Sequence, residues 1–390
     1  MSSQCDIQVP FDSCLLDHLL ESAGIDVLLV TSKHNIQYLL GGYRYFFFDR
    51  SDALGVSRYL PILIYPRGRP EAASYVGNVM EVSEVENGRF WMAKTDTTTW
   101  RATDAMQVAA AHVQELGSAL RIGLEHAFVP ADAAELLRQA FPDSKIVEAH
   151  FALERLRAIK TPPELTLLRE ASDRVIASML ATVDLVRPGM TKADVVAELR
   201  RQEFNRGMDF EYCLITAGSS LNRAPSSQPM QEGDIFSLDS GGRYQGYIGD
   251  LCRMGILGQP DDELRELLAE VESVQQSART ALYPGAQGKA VFAVTGPILS
   301  RSRNRDALHF VAHGMGIIGH EAPRLSAAGP VTYDAYDADR PLEPGMVISV
   351  ETTLLHPRGF IKIEDTLAIT ADGFEAYGDG GRGWNIAAAA

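Results

Sequence analysis

The sequence predicts an α/β domain followed by an α+β domain, and three observations carry this. The chain has 390 residues, 46% of them apolar. That is more than one ordinary core organises, so two domains are expected. Residues 1–155 alternate helical spacing with short apolar runs, as an α/β layer does. Residues 156–390 run helix, hairpin, helix, hairpin, the order of an antiparallel sheet covered by helices.

In the first domain, FDSCLLDHLLESAG spaces its apolar residues for a helix and stops at Gly24. IDVLLVT follows as a buried strand, and YLPILIYPRG as another that ends in a turn. ADAAELLRQAFP is a helix closed by Pro142. The boundary falls near residue 155, where Thr161, Pro162 and Pro163 open a new helix. RPGMTKADVVAELRRQEFNRG is a second helix. DIFSLDSGGRYQGYIGDLCRMGIL is a hairpin on a glycine turn. Helices cover roughly 262–301, and MVISVETTLLHPRGFIKIEDTLAIT reads as paired strands.

Composition narrows the function. The net charge of −15 leaves little basic surface for nucleic acid or an anionic membrane. Cys5, Cys14, Cys213 and Cys252 form no CxxC pair, so a zinc knuckle or thioredoxin site is not expected. They read as reduced thiols of a cytosolic protein. MSSQCDIQVPFDSCLL has no basic segment ahead of an apolar run, so no signal peptide is expected. No apolar stretch is long enough to span a bilayer.

The anomaly is acidic residues inside strands. Asp239 ends the apolar run of FSLDSGG, and Asp250, eleven residues on in YIGDLCRM, is expected opposite it. Glu351 sits within ISVETTL and Glu364 within IKIEDTL. Strand alternation sends Asp365 to the other face. A carboxylate on a buried strand face must be paired, hydrogen-bonded or metal-bound. Two aspartates, two glutamates and a histidine make an oxygen-rich set for two divalent ions, and hard donors suit Mn²⁺ or Fe²⁺, with Co²⁺ and Zn²⁺ as alternatives. Two ions about 3.5 Å apart can share a hydroxide and clamp both ends of a hydrolytic displacement. Calcium loops instead draw ligands from closely spaced positions.

In order and context, Asp239, Asp250, His313, Glu351 and Glu364 resemble the pita-bread metallohydrolase family of aminopeptidase P, prolidase and creatinase. IKTPPELTLLREA resembles that family's opening catalytic helix, and HGMGIIGHEAPRLS its HGxGxxxHExPR segment. LEPGMVISVE and IEDT resemble its last two ligand strands. The resemblance implies a creatinase-like N-terminal domain over 1–155 and a pita-bread domain over 156–390. It implies that Asp239 chelates one ion, that Asp250 and Glu364 bridge two, and that His313 and Glu351 bind the second. Mn²⁺ is the first expectation. Glu351 becomes the proton shuttle and His320 the donor to a tetrahedral oxyanion. His309 lines the substrate side, where the alternative is a histidine on a helix face. Gly314, Gly316 and Gly319 point to close backbone approach. Arg324 is expected to hold a substrate carboxylate through its guanidinium fork.

The sequence also departs from the family. The peptidases carry a histidine shortly before the first metal aspartate. TAGSSLNRAPSSQPMQEGD has none, so Asn222, Arg223 or Ser226 must stand nearby. DLCRM replaces DITRT, and ETTLLHP replaces EPGIY. These changes spare the ligands and alter the substrate contacts. In LLGGYRYFFFDRSD, residues Tyr43, Arg44, Tyr45, Phe46, Phe47 and Phe48 are either a buried strand or a loop reaching a partner's pocket, with Tyr43 and Arg44 on a small polar substrate. The expectation is a cytosolic, homodimeric, dinuclear-metal hydrolase cleaving a C–N bond of a small carboxylate-bearing molecule. An Xaa-Pro dipeptide comes first. The runner-up is an amide or amidine substrate of the creatinase or ectoine-hydrolase kind. A binding module without catalysis, known for this fold, is disfavoured by the intact five residues.

Overall fold

The computed structural model describes residues 8–45, 59–327 and 334–387. The chain divides into two compact units, Met1–Leu156 and Arg157–Ala390.

In the first unit the order is α1 (Ser13–Ser22), β1 (Val27–Val30), α2 (Lys33–Leu39), β2 (Ile62–Pro66), β3 (Ser74–Asn78), α3 (Val82–Glu86), β4 (Lys94–Thr99), α4 (Ala102–Gln114), β5 (Arg121–Leu124), α5 (Ala131–Ala140), β6 (Lys145–Glu148) and α6 (His150–Leu156). Helix α1 starts because the Asp12 carboxylate accepts from Leu15 N at 2.8 Å. It ends at Gly24, which takes φ +63°. The sheet runs β4-β3-β2-β1-β5-β6 among the described residues. It is mixed: β1 pairs β2 antiparallel and β5 parallel. Leu16, Leu20, Leu28 and Leu63 pack on one side, and Leu29, Ile62, Met106 and Leu137 on the other.

The second unit holds α7 (Pro162–Val183), α8 (Lys192–Asn205), β7 (Asp209–Ala217), β8 (Ile235–Tyr244), β9 (Tyr247–Leu257), α9 (Asp262–Arg279), α10 (Ala290–Arg301), β10 (Leu308–Gly314), β11 (Val347–His356), β12 (Gly359–Ile369), β13 (Phe374–Tyr377) and β14 (Asn385–Ala387). The TPPEL stretch opens α7 as expected, with a capping box between Thr161 and Glu164 and proline in the first turn. The expected hairpin is β8–β9. Its turn places Gln245 at φ 48° and Gly246 at φ 88°, the backbone a tight two-residue turn requires.

The main sheet runs β10-β11-β12-β9-β8-β7, with β13 beside β12 and β14 parallel to β9. Helices α7, α8 and α9 lie on one face of it. Val175 and Leu199 pack there with Leu238 and Leu251, and Ala278 with Val350 and Leu367. Gly249 lets α7 approach closely, since a Cβ there would stand 2.8 Å from the Ala171 backbone. Strand residues of the opposite parity face away from these helices, and all four anomalous carboxylates have that parity.

Candidate metal centre

Cross-strand pairing assembles the site. Asp239 on β8 pairs with Cys252 on β9, Cys252 with Glu364 on β12, and Glu364 with Glu351 on β11. Directly paired residues share a sheet face, so three carboxylates and a thiol form one row. Asp250 is expected opposite Asp239 but pairs instead with Gly241, so the two aspartates stand diagonally, one step apart on the same face. The two extra turn residues set this register. His313 lies on β10 paired with Ser349, which places its ring beside Glu364. Its Nε2 is 3.7 Å from Glu364 Oε1. Asp239, Asp250, His313 and Glu364 are all buried.

These surroundings fit a divalent ion. Asp250, His313 and Glu364 each offer a ligand atom, and those atoms lie within 4.8 Å of one another. The buried Nε2 of His313 has no hydrogen-bond partner among the described residues. Its Nδ1 lies 3.2 Å from the Gly314 carbonyl, which fixes the ring with Nε2 toward the acids. Glu364 accepts from Ser349 Oγ at 2.9 Å, and Asp250 accepts a short hydrogen bond from the Tyr212 hydroxyl. The Tyr212 ring reaches in over Gly241, where a Cβ would stand 2.4 Å from ring atom Cε1.

Protonation follows from this crowding. Burial, with Glu364 and Asp239 alongside, pushes the Asp250 carboxyl well above its usual range. Burial and Glu364 raise Glu351 as well. Burial disfavours charge on His313, yet Glu364, Glu351 and Asp250 raise it to about 9. His320 stacks on the His313 ring with centroids 3.8 Å apart. Burial and that neighbouring ring lower it to about 4, so its imidazole is neutral near pH 7.

Lys362 sits inside the carboxylate row, two residues before Glu364 and therefore on its face. Its ammonium stands 2.7 Å from Asp239 Oδ2, 2.5 Å from Glu351 Oε2 and 2.8 Å from Glu364 Oε2. Burial alone would lower its pKa, but these acids hold it well above the ordinary lysine range. Arg223 makes a close ion pair with the same Asp239 oxygen. Of the three residues expected near the missing histidine, Arg223 is therefore the one that reaches the site. The Asn222 carbonyl accepts from Lys192 Nζ, and the Ser226 carbonyl from Ala193 N.

The other expected residues divide. His309 is on strand β10, which removes the helix-face alternative; it is exposed, two face positions from His313. Arg324 is buried, and its Nη2 donates to the His320 carbonyl at 3.2 Å. Glu321, between them, is clamped by Arg157 at 3.1 Å and Lys160 at 3.0 Å. Gly316 leaves room for that carboxylate, since a Cβ there would meet Glu321 Oε1 at 2.1 Å. In the first unit the Tyr43 hydroxyl donates to Glu81 at 2.9 Å, and Arg44 is half-buried beside it. Phe46, Phe47 and Phe48 lie outside the described residues.

Residues 166–371 match the Metallopeptidase family M24, and residues 15–159 match the Creatinase/Prolidase N-terminal domain. The chain belongs to metallopeptidase family M24. Membership makes it a metal-dependent hydrolase, and an M24 catalytic domain after a creatinase-type domain is the architecture the sequence predicts. The family also implies divalent metal. An uncharacterized peptidase of Bacillus subtilis (strain 168) is 28% identical over 366 residues, covering 92% of this chain and 95% of the relative. An Xaa-Pro dipeptidase of Lactobacillus delbrueckii subsp. lactis is 25% identical over 381 residues, covering 93% and 95%. Among solved structures, an Xaa-Pro dipeptidase from Bacillus anthracis superposes with a TM-score of 0.79 at 23% identity, covering 96% of this chain and 98% of that one. A prolidase from Thermococcus sibiricus gives 0.80 at 19% identity over the whole of both chains. These likenesses carry the M24 fold.

Sequence reasoning missed Lys362 and Tyr212. Lys362 was legible in IKIED, because i and i+2 share a strand face. Nothing local marks Tyr212, whose partner is 38 residues away.

Proposed function

We propose that this protein is a divalent-metal-dependent hydrolase that cleaves a C–N bond in a small, carboxylate-bearing substrate, Xaa-Pro dipeptides first. The observation that carries the reading is a single buried sheet face gathering Asp239, Asp250, His313, Glu351 and Glu364 in a chain of this family. Asp250, His313 and Glu364 would hold the ion, Mn²⁺ foremost. When bound, such an ion supplies Lewis acidity at a carbonyl and lowers the pKa of water. Glu351, its carboxyl raised by burial and by Glu364, is the candidate to take up a proton and return it to the leaving nitrogen. Neutral His320 is suited to donate to a developing oxyanion. Arg324, packed against the His320 carbonyl, orients that histidine and is the candidate for a substrate carboxylate. His309 marks the exposed substrate side, and Tyr43 and Arg44 are candidates to contact a small polar substrate in a partner subunit's pocket. The working unit is taken to be a cytosolic homodimer.

The runner-up is a non-peptide amide or amidine substrate of the creatinase or ectoine-hydrolase kind. Arg223 stands at Asp239 where peptidases of this kind carry a histidine nearby. The loss of that histidine argues against a dipeptide and against a creatinase mechanism alike, and supports a substrate that has drifted from dipeptides. The test is turnover of Mn²⁺-supplemented protein on a panel of Xaa-Pro dipeptides, ectoine and creatine. The first reading expects hydrolysis of at least one dipeptide. Turnover of ectoine or creatine alone moves the assignment to the second reading, and turnover of none overturns both.

A further inference from the structure

We propose that this centre holds one divalent ion rather than two, and that Lys362 and Arg223 supply the position and the charge of the other. The inference rests on the metal-dependent reading above and goes beyond it.

The five donors are not equivalent. Asp250, His313 and Glu364 converge on one point with ligand atoms within 4.8 Å of one another. Asp239 and Glu351 do not join them. Both turn to the ammonium of Lys362, at 2.7 Å and 2.5 Å, and Glu364 shares its second oxygen with that ammonium at 2.8 Å. A cation already stands where oxygens of these three acids meet. A divalent ion binds carboxylate oxygen at about 2.0–2.2 Å. Seated among the same three oxygens, it would share the volume of the ammonium and be repelled by it. Lys362 has no easy exit, because its side chain is 4% exposed and strand alternation fixes its face beside Glu364.

Charge points the same way. Asp239, Asp250, Glu351 and Glu364 carry four negative charges when ionised. Lys362 and Arg223 carry two positive charges, and one divalent ion carries the remaining two. With a second ion the cluster would hold two positive charges in excess, in a buried setting where unpaired charge is disfavoured. Arg223, its side chain 38% exposed, reaches the same acid from the loop before β8. Its guanidinium pairs with the Asp239 oxygen that Lys362 also touches. It lies over the Phe360 ring, 5.2 Å from the centroid. Its carbonyl accepts from Ile215 N at 2.8 Å, which ties the loop to β7.

The test counts ions on the full chain. Protein stripped with a chelator is equilibrated with excess Mn²⁺, freed of loose metal, and analysed for manganese per chain and by electron paramagnetic resonance. The wild type is expected to hold about one Mn²⁺ per chain with the spectrum of an isolated ion. Asp239→Asn is expected to keep that one ion, and Asp250→Ala to lose it. Lys362→Met is expected to admit a second ion, giving about two per chain and a spin-coupled spectrum. Two ions in the wild type overturn the inference, as does loss of the single ion in Asp239→Asn. Should Lys362→Met not fold, the wild-type count and Asp239→Asn still decide. No bound ion in the wild type removes the metal-dependent reading as well, so the two failures are distinguishable.

Discussion

Glu364 and Asp365 are chemically alike and adjacent, yet they do opposite work. Glu364 faces His313 and Lys362. Asp365 faces the helices and binds Arg253 at 3.2 Å, Arg279 at 3.1 Å and Arg382 at 2.6 Å. Alternation along a strand predicts this split from sequence alone. What it cannot give is the partner each side chain finds, because that depends on register with strands far away. Tyr212 is the instructive case. Its hydroxyl braces Asp250, and such outer partners typically govern ion affinity by 10–100-fold. Tyr212→Phe is therefore expected to weaken Mn²⁺ binding by about that factor while leaving the fold intact, as a metal titration would measure. Unchanged affinity would remove Tyr212 from the centre.

At the scale of elements, strands that end in strong turn signals were readable and strands without them were not. The β8–β9 hairpin shows in the sequence through its Gln-Gly turn. Strand β7 follows Gly207, which at φ +71° stops a helix rather than turning a hairpin, and β10 runs into the glycines from Gly314 on. The sequence around His309 and His313 marks no clear element, although β10 decides where both rings go. Helix α8 offers a test of packing. Glu203 is fully buried there, and its Oε2 has no hydrogen-bond partner among the described residues. Ser240 Oγ donates to its Oε1 at 3.1 Å. Burial raises this carboxyl from 4.5 to about 8, against a weaker opposing pull from Ser240. A folded-state pKa above the unfolded value means full stability below about pH 4.5, lost as pH rises through about 8. Glu203→Gln cannot ionise. It is expected to match the wild type near pH 5 and to exceed it by on the order of 1–3 kcal/mol at pH 8.5 in urea unfolding. Parallel pH profiles would contradict this.

For the whole molecule, the two units have separate sheets and separate cores, and the change from mixed to mainly antiparallel pairing follows the change in sequence pattern. The short apolar strands of the first unit and the helix–hairpin order of the second were both legible, because each rests on local periodicity. That Asp239, Asp250, Glu351 and Glu364 share one face was legible, because acids buried on strand faces demand a cation. The nature of that cation was less so: Lys362 was overlooked because a lysine in a sequence reads as solvent-exposed. No helix among the described residues is long and apolar enough to cross a membrane. The buried acids and His313 are proposed to serve metal-dependent hydrolysis. The most direct test is hydrolysis of the best substrate by the same protein before chelation, after chelation, and after Mn²⁺ is restored, with Asp250→Ala alongside. Activity is expected to vanish on stripping and return with Mn²⁺, and to stay at least about a hundredfold down in Asp250→Ala, about 2.7 kcal/mol of lost transition-state stabilisation. Stripped protein that turns over at the loaded rate would contradict it.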